Sequence, residues 1–542
     1  MRGPTPALPL LRSPPFPWIA ADRAAVSRAR SGPLGSIDPA RAERLVAACR
    51  AARVGGAFWN PPARPAPPQS IVIRPRNDRE AAAFLEQARE IGGGDAPIVT
   101  MPWDQGEDVD PWSLLQPGIR LIAPADDEWT LIAGLAGAEP VGHAPANIAM
   151  RIAGAIDRAD YRDLYTGAAI EPEAAIEILA DWRRTLDANR AIGAASGIAW
   201  WKKAQMERFL WTGRRAPLAF ADSADAAVEA ARQADGAVLV WPSRAPIGLA
   251  AAAGTDIARV EDGFIRSVGL GADLHPPYSI VVDRRGIYYD PGAPSDLETI
   301  LATADFPARL TDRAEALIRL IVAGGISKYA SGQRPPADPP RRESDRRLVL
   351  VTGQVEDDQS VRLGGGEITS NLALLQRARA AEPDAYLLFK PHPDVDAGHR
   401  KGRVPDATLL AHADAIVRDQ PMAALLDLVD AVHVLTSLTG FEALLRGREV
   451  TTHGHPFYAG WGLTRDLAGP LPRRTRRLTL AQLVVGTLIL YPRYLDPVTA
   501  LPCPPEVMLR RFADGWRPPV TLLVRARRLQ GRIAKLFGTT SV

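Results

Sequence analysis

The chain has 542 residues, and its 65 Lys+Arg against 62 Asp+Glu leave a formal charge of +3, too small a surplus to draw a nucleic acid or another polyanion by charge alone. Hydrophobic residues at 46% and charged residues at 23% describe a folded globular protein with room for three or four domain-sized units. Cys49 and Cys503 are the only cysteines, which excludes a disulfide scaffold and a cysteine-rich zinc site and favours a reducing compartment.

In chain order, residues 1–69 read as a Pro/Arg-rich arm, partly disordered, because prolines interrupt every apolar run that could start a helix. Residues 70–190 alternate helical and strand-like patterns. Residues 191–340 and 341–513 do the same more strongly, with buried-strand runs AVLVW (237–241), SIVVD (279–283), LVLV (348–351), YLLF (386–389) and VHVL (432–435) between Ala/Leu-rich stretches. This alternation predicts parallel sheets with helices on both faces. A Pro-rich linker, GQRPPADPPRRESDRR (332–347), feeds the LVLV strand. Residues 514–542 form a basic tail: no acid follows Asp514, while Arg525, Arg528, Arg532 and Lys535 recur at helical spacing beside Leu522, Leu529 and Ile533. That pattern predicts an amphipathic helix, either suited to an anionic membrane surface or packed on its own domain with a solvated basic face. No run approaches 18 uncharged apolar residues, so no spanning helix is expected.

A weak repeat links the halves. Residues 82–104 align with 372–394 at an offset of 290, and 130–143 with 440–453 at an offset of 310. The reactive residues are missing from the first copy, where Lys390 and His392 face Thr100 and Pro102, and Glu442 faces Ile132. Residues 70–190 therefore read as a degenerate copy.

Four stretches carry chemistry. In VEDGFIRS, Glu261 and Asp262 precede a glycine at a strand end, where paired carboxylates can share a proton and one can act as a general base. TGQVEDDQS follows the LVLV strand, so Gln354 and Asp358 fall where a doubly wound sheet opens its ligand crevice, and a carboxylate there can bind metal, act as a base or attack as a nucleophile. In FKPHPDV, two prolines hold His392 in an extended loop with Lys390 beside it, a plausible phosphate site. In VLTSLTGFEALL, Thr436, Ser437 and Thr439 open a helix whose free N–H groups favour an anion, with Glu442 placed to accept from ribose hydroxyls. Three weaker patterns are set aside: Asp394-Val395-Asp396 as a metal-diphosphate motif, Gly269-x-Gly271 as a dinucleotide loop, and His453-x-His455 as a metal pair.

Taken together, RVEDGFIRSVGLG, PPYSIVVDRRGIYYDPGAPSDLE, SKY (327–329), TGQVEDDQS, KPHPDV, TSLTGFEALLRGREV and HPFYAGWGLT (455–464) resemble the capsule polysaccharide β-Kdo transferases of the KpsC type. The resemblance spans about residues 195–505. It implies an α/β chain with one intact GT-B glycosyltransferase module of two Rossmann-like domains, an acceptor side at 191–340 and a CMP-sugar donor side at 341–513. A degenerate partial module at 70–190 precedes it.

The resemblance further implies a retaining transfer of Kdo from CMP-Kdo to a phospholipid-linked Kdo acceptor during capsule biosynthesis and export. Asp358 is then the nucleophile, Glu261 or Asp262 the second acid, and Gln354, Lys390, His392, Thr436, Ser437 and Glu442 the donor-binding set. Neither metal nor cofactor is expected beyond the donor substrate. The expected setting is peripheral, on the inner face of the cytoplasmic membrane, with other capsule proteins as possible partners and no nucleic acid. Two other readings stay open: a non-catalytic capsule assembly or export factor, and a transferase using another CMP- or CDP-activated donor.

Overall fold

The computed structural model describes residues 8–30, 38–93, 95–103, 108–213, 216–251, 254, 256–268, 275–328 and 345–518. The chain divides into two compact units, one holding Met1–Ala191, Leu210–Leu218 and Val498–Cys503, the other Ile192–Phe209, Ala219–Pro497 and Pro504–Val542.

The first unit is built on a four-stranded parallel sheet. Its elements are β1 (Ile71–Ile73), α1 (Asp78–Gly92), β2 (Ile98–Thr100), β3 (Arg120–Ile122), α2 (Glu128–Ala136) and β4 (Glu139–Pro140), with strand order β2-β1-β3-β4. Asn77 and Asp127 cap the two helices by accepting from Glu80 N and Trp129 N at 2.9 Å each.

Residues 8–30 and 38–69, expected from sequence as an arm, are folded into this unit. They contain a helix, Pro39–Ala52, and a strand, Ser27–Ala29, that pairs antiparallel with Ala159–Arg162. Leu10, Leu11 and Phe16 are buried, and the Phe16 ring lies 5.0 Å from that of Trp182. Around Leu10 to Phe16 the prolines rule out a helix but not an extended chain that buries its apolar side chains, whereas Pro39 stands at the first position of its helix, where proline is tolerated.

The second unit carries two sheets. In the first, β5 (Ile192–Ser196), β6 (Ala219–Ala221), β7 (Ala237–Val240) and β8 (Ile257–Asp262) are parallel in the order β6-β5-β7-β8, with α3 (Ala224–Gln233) packed through Ala227 and Ala231. β9 (Ser279–Asp283) then runs antiparallel to β8, and the strand Pro492–Leu495 antiparallel to β9. This sheet is therefore mixed, and the polypeptide returns to it long after leaving it. The acceptor side expected at 191–340 thus includes C-terminal residues, because the backbone hydrogen bonds of β9 are completed by that late strand. Helix α4 (Ala308–Ala323) closes this part.

The second sheet is wholly parallel. β10 (Leu348–Thr352), β11 (Tyr386–Lys390), β12 (Ala415–Ile416), β13 (Ala431–Val434), β14 (Glu449–Thr452) and β15 (Arg465–Asp466) lie in the order β12-β11-β10-β13-β14-β15. Its helices include α5 (Gln359–Gly364), α6 (Asn371–Ala381), α7 (Pro393–Asp396) and α8 (Leu438–Leu445). Every residue of β10 and β13 is buried, as strands covered on both faces require. The core runs through Val349, Val351, Leu375, Leu387, Phe389 and Leu435. Among these elements β2-β1-β3-β4 and β11-β10-β13-β14 have the same order and direction.

No described helix is long and apolar enough to cross a membrane. The basic tail and the Gly269-x-Gly271 pattern lie outside the described residues, apart from 514–518.

Candidate active site

At the end of β8, Glu261 and Asp262 project to opposite faces. Both oxygens of Asp262 are engaged, Oδ1 with Lys202 Nζ at 3.1 Å and Oδ2 with Arg266 Nε at 2.7 Å. Burial would raise the pKa of Asp262, but Arg266 and Lys202 outweigh it and hold the carboxyl below its ordinary value. For Glu261, burial and then the Asp262 charge push the carboxyl up to about 8, against Lys202 and Lys328. Lys202 rests 3.4 Å from the centroid of the Trp241 ring. Gly263 turns the chain out of β8: its N–H donates to Ser279 O at 2.9 Å, and a Cβ there would overlap the Ser279 side chain.

The loop after β10 sorts its acids. Glu356 accepts from Asn371 N at 2.8 Å and Asp357 from Arg400 at 3.0 Å. Asp358 is exposed and caps α5, with Oδ1 accepting from Ser360 N at 2.9 Å and Ser360 Oγ at 2.7 Å. Among the described residues, no hydrogen bond reaches its Oδ2. Gln354 is a brace: its Oε1 accepts from Thr436 N at 2.8 Å and its Nε2 donates to Thr436 Oγ1 at 3.1 Å. Its backbone is clasped by Asn371, which accepts from Gln354 N and donates to Gln354 O, each at 2.8 Å.

His392 opens α7, with Nδ1 accepting from Asp394 N at 3.2 Å. Burial pulls its pKa down; Asp394 and Asp358 oppose this, while Lys328 adds to it. The ring is therefore neutral at pH 7 and carries its proton on Nε2, a donor aimed away from the backbone it caps. Lys390, expected beside it at a phosphate, instead donates from Nζ to Arg418 O at 3.0 Å. Successive strand side chains alternate faces, and Lys390 is still inside β11.

Ser437 caps α8, accepting from Thr439 N at 3.2 Å and donating to Thr439 Oγ1 at 3.0 Å. Tyr458 donates to Ser437 O from a hydroxyl pressed against Gly440, where a Cβ would overlap it. Glu442, expected to face a ribose, is buried and accepts from Lys328 N at 2.9 Å through Oε1. Burial raises its pKa, with that bond, Arg446 and Lys328 opposing.

Of the discounted patterns, Asp396 pairs with Arg418 at 2.9 Å. His453 turns to His433, ring nitrogens 3.0 Å apart, and burial pushes both down to about 4. Among the described residues no cluster of three His, Cys, Asp or Glu side chains suits a metal.

The two sheets thus bring their chemistry into one neighbourhood. The charges of Glu261 and Asp358 both act on the Tyr289 hydroxyl, and those of Asp358 and Lys328 both act on His392. Lys328 in turn joins Glu442 and the Ser437 helix.

The family described as capsule polysaccharide biosynthesis protein matches residues 236–494. The capsule polysaccharide modification protein LipA of Neisseria meningitidis serogroup A is 40% identical over 359 residues, which is 66% of this chain and 50% of LipA. The lipopolysaccharide-processing protein LpsZ of Rhizobium meliloti is 46% identical over 240 residues, 44% of this chain and 54% of LpsZ. The chain spans about half the length of these curated relatives. A solved structure of Thermosulfurimonas dismutans KpsC, its beta Kdo 2,4 transferase, is 32% identical with a TM-score of 0.51, covering 59% of this chain and 98% of that one. The chain belongs to the KpsC-type capsule polysaccharide family. Its second unit has the GT-B glycosyltransferase fold of that family.

Within this KpsC-type site, sequence reasoning left three residues without roles. Lys328 and Lys202 stand among only six lysines in the chain, a scarcity that flags both. Asn371 carries no such signal: its double clasp on Gln354 spans 17 positions and shows only in the fold.

Proposed function

We propose that this chain is a retaining β-Kdo transferase that moves Kdo from CMP-Kdo onto a phospholipid-linked Kdo acceptor for capsule assembly. The observation that carries the reading is the division of labour among the acids. Asp358 keeps one carboxylate oxygen uncommitted beside a neutral His392, while Glu261 is a basic carboxylate and Asp262 is locked between two cations.

In the first step Asp358 Oδ2 attacks the anomeric carbon, the bond to the CMP phosphate oxygen breaks, and the electron pair leaves with CMP. His392 Nε2–H and the free N–H groups of α8 stabilise the charge gathering on the phosphate. In the second step an acceptor hydroxyl attacks the same carbon, Glu261 takes its proton, and the Asp358 carboxylate is released. Two inversions give retention. Asp262 is unsuited to the base role because both its oxygens are bound, and its negative charge instead raises the basicity of Glu261.

Gln354 positions Thr436 rather than the donor, and Glu442 holds the Lys328 segment. The first unit, residues 70–190 included, adds no second transfer site in this reading, so one linkage type is made at a peripheral site on the cytoplasmic membrane face. The decisive experiment incubates the protein with CMP-Kdo and a Kdo-terminated lipid acceptor. Release of CMP with a lengthened β-linked product supports the reading; no transfer, or transfer from another CMP- or CDP-activated donor only, sinks it.

A further inference from the structure

Tyr289 belongs to no step above, yet its position is closely prepared. Asp283 shapes the turn that carries it, accepting from Arg285 N at 3.0 Å and Gly286 N at 2.8 Å through Oδ1, and from Asp296 N at 2.9 Å and the Tyr491 hydroxyl at 2.8 Å through Oδ2. The neighbouring Tyr288 is anchored among aromatic rings, 4.8 Å from Phe264 and 5.8 Å from Phe457 by centroid, and meets Tyr289 edge-on at 5.3 Å and 81°. On the donor side, the backbone oxygen of Tyr289 lies 3.5 Å from the Cβ position of Gly364, at the end of the helix that Asp358 caps. The ring is thus fixed within electrostatic reach of both carboxylates that the mechanism uses.

Its hydroxyl, however, is buried with no hydrogen-bond partner among the described residues. Burying a phenol oxygen unpaired is destabilising, and such orphans in native proteins call for a reason. A phenylalanine would pack equally well without that penalty. Burial and then the charges of Glu261 and Asp358 push its proton toward staying on, so it is a committed donor within reach of two carboxylates.

We infer that Tyr289 is a substrate-contacting residue whose hydroxyl donates to an anionic oxygen of the transferred sugar, the carboxylate next to the anomeric carbon of a sugar acid. This deepens the transferase reading and rests on it for the nature of the sugar. The hydrogen bond keeps that carboxylate from facing Asp358 and Glu261 unscreened, so it holds the sugar in the orientation in which Asp358 can attack.

The test is Tyr289→Phe in the full chain, read in three ways. Because the hydroxyl has no partner among the described residues, the melting temperature should stay level or rise. Transfer from CMP-Kdo should fall about 10- to 100-fold in kcat/KM, the value of one hydrogen bond to a charged group. The extra thermal stabilisation that CMP-Kdo gives the wild type beyond CMP alone should shrink, since CMP lacks the sugar. A melting temperature several degrees lower would make the hydroxyl a structural donor and overturn the inference, as would unchanged kinetics with an unchanged ligand increment. Should the wild type show that increment but transfer nothing, the transferase reading falls while the increment in the variant still decides Tyr289.

Discussion

The parallel sheet of the first unit and the wholly parallel sheet of the second share strand order and direction, and differ at the ends of their strands. In the sheet of the second unit the helix after β13 is capped by a neutral serine, Ser437, leaving the helix N-terminus free to attract an anion. In the first unit the same position, after β3, is held by Asp127. Its carboxylate caps α2 and forms a buried ion pair with Arg74 at 2.8 Å, and the Arg74 guanidinium lies 4.5 Å from the Trp129 ring and 5.0 Å from that of Trp103. One carboxylate therefore meets the positive helix end from within. A strand order can be reused without its site, because the crevice serves a phosphate only while the protein's own charges leave it empty.

That contrast can be broken most sharply at Asp358. Asp358→Ala should reduce transfer by at least about 10⁴-fold, as loss of a nucleophile does, while loss of the α5 cap should lower stability by only about 0.5–2 kcal/mol; retained activity would refute its role. Glu261→Gln should cost about 10²- to 10⁴-fold. In the wild type, kcat/KM should climb with pH until Glu261, raised to about 8, is deprotonated, and that climb should vanish in the variant. An identical pH profile in both proteins would remove Glu261 as the base.

The counterpart in the first unit should behave in the opposite way. Asp127→Ala leaves Arg74 charged and buried, so it should cost about 3–5 kcal/mol of stability. The surviving folded fraction should transfer normally, and a change in its KM for CMP-Kdo would show that the first sheet takes part in donor binding. The smallest effect is expected at Gly440→Ala, where the new methyl presses on the Tyr458 hydroxyl and about 1–3 kcal/mol should be lost, with KM rising as the cap at Ser437 shifts. A neutral result in calorimetry would mean Tyr458 can move aside freely.

Much of this architecture was legible as pattern. The runs AVLV, SIVVD, LVLV, YLLF and VHVL are strands because apolar residues in short uninterrupted stretches can be satisfied only between two covering layers. The clustering of Glu261, Asp358 and His392 follows from their places at strand ends. What stayed hidden depends on partners distant in sequence. Nothing near Glu442 signals Lys328, 114 positions away, and nothing in PRYL signals that Pro492–Leu495 completes the sheet of β9. Lys390 and His392 look equivalent in FKPHPDV, yet one lies inside the strand and the other caps the next helix. Prolines in the first 69 residues suggested disorder, where the fold has an extended apolar chain through Leu10, Leu11 and Phe16 and a helix opened by Pro39.

The late return of Pro492–Leu495 also orders events during synthesis. The wholly parallel strands occupy 348–466, one contiguous stretch, whereas the sheet that begins at Ile192 finds its last strand of this unit three hundred residues downstream. As the polypeptide emerges, the wholly parallel sheet can close first, while the edge of β9 stays open until translation passes residue 495. An unpaired strand edge is a template for association with other chains. Premature termination anywhere between 470 and 490 should therefore yield aggregates rather than a weakened enzyme.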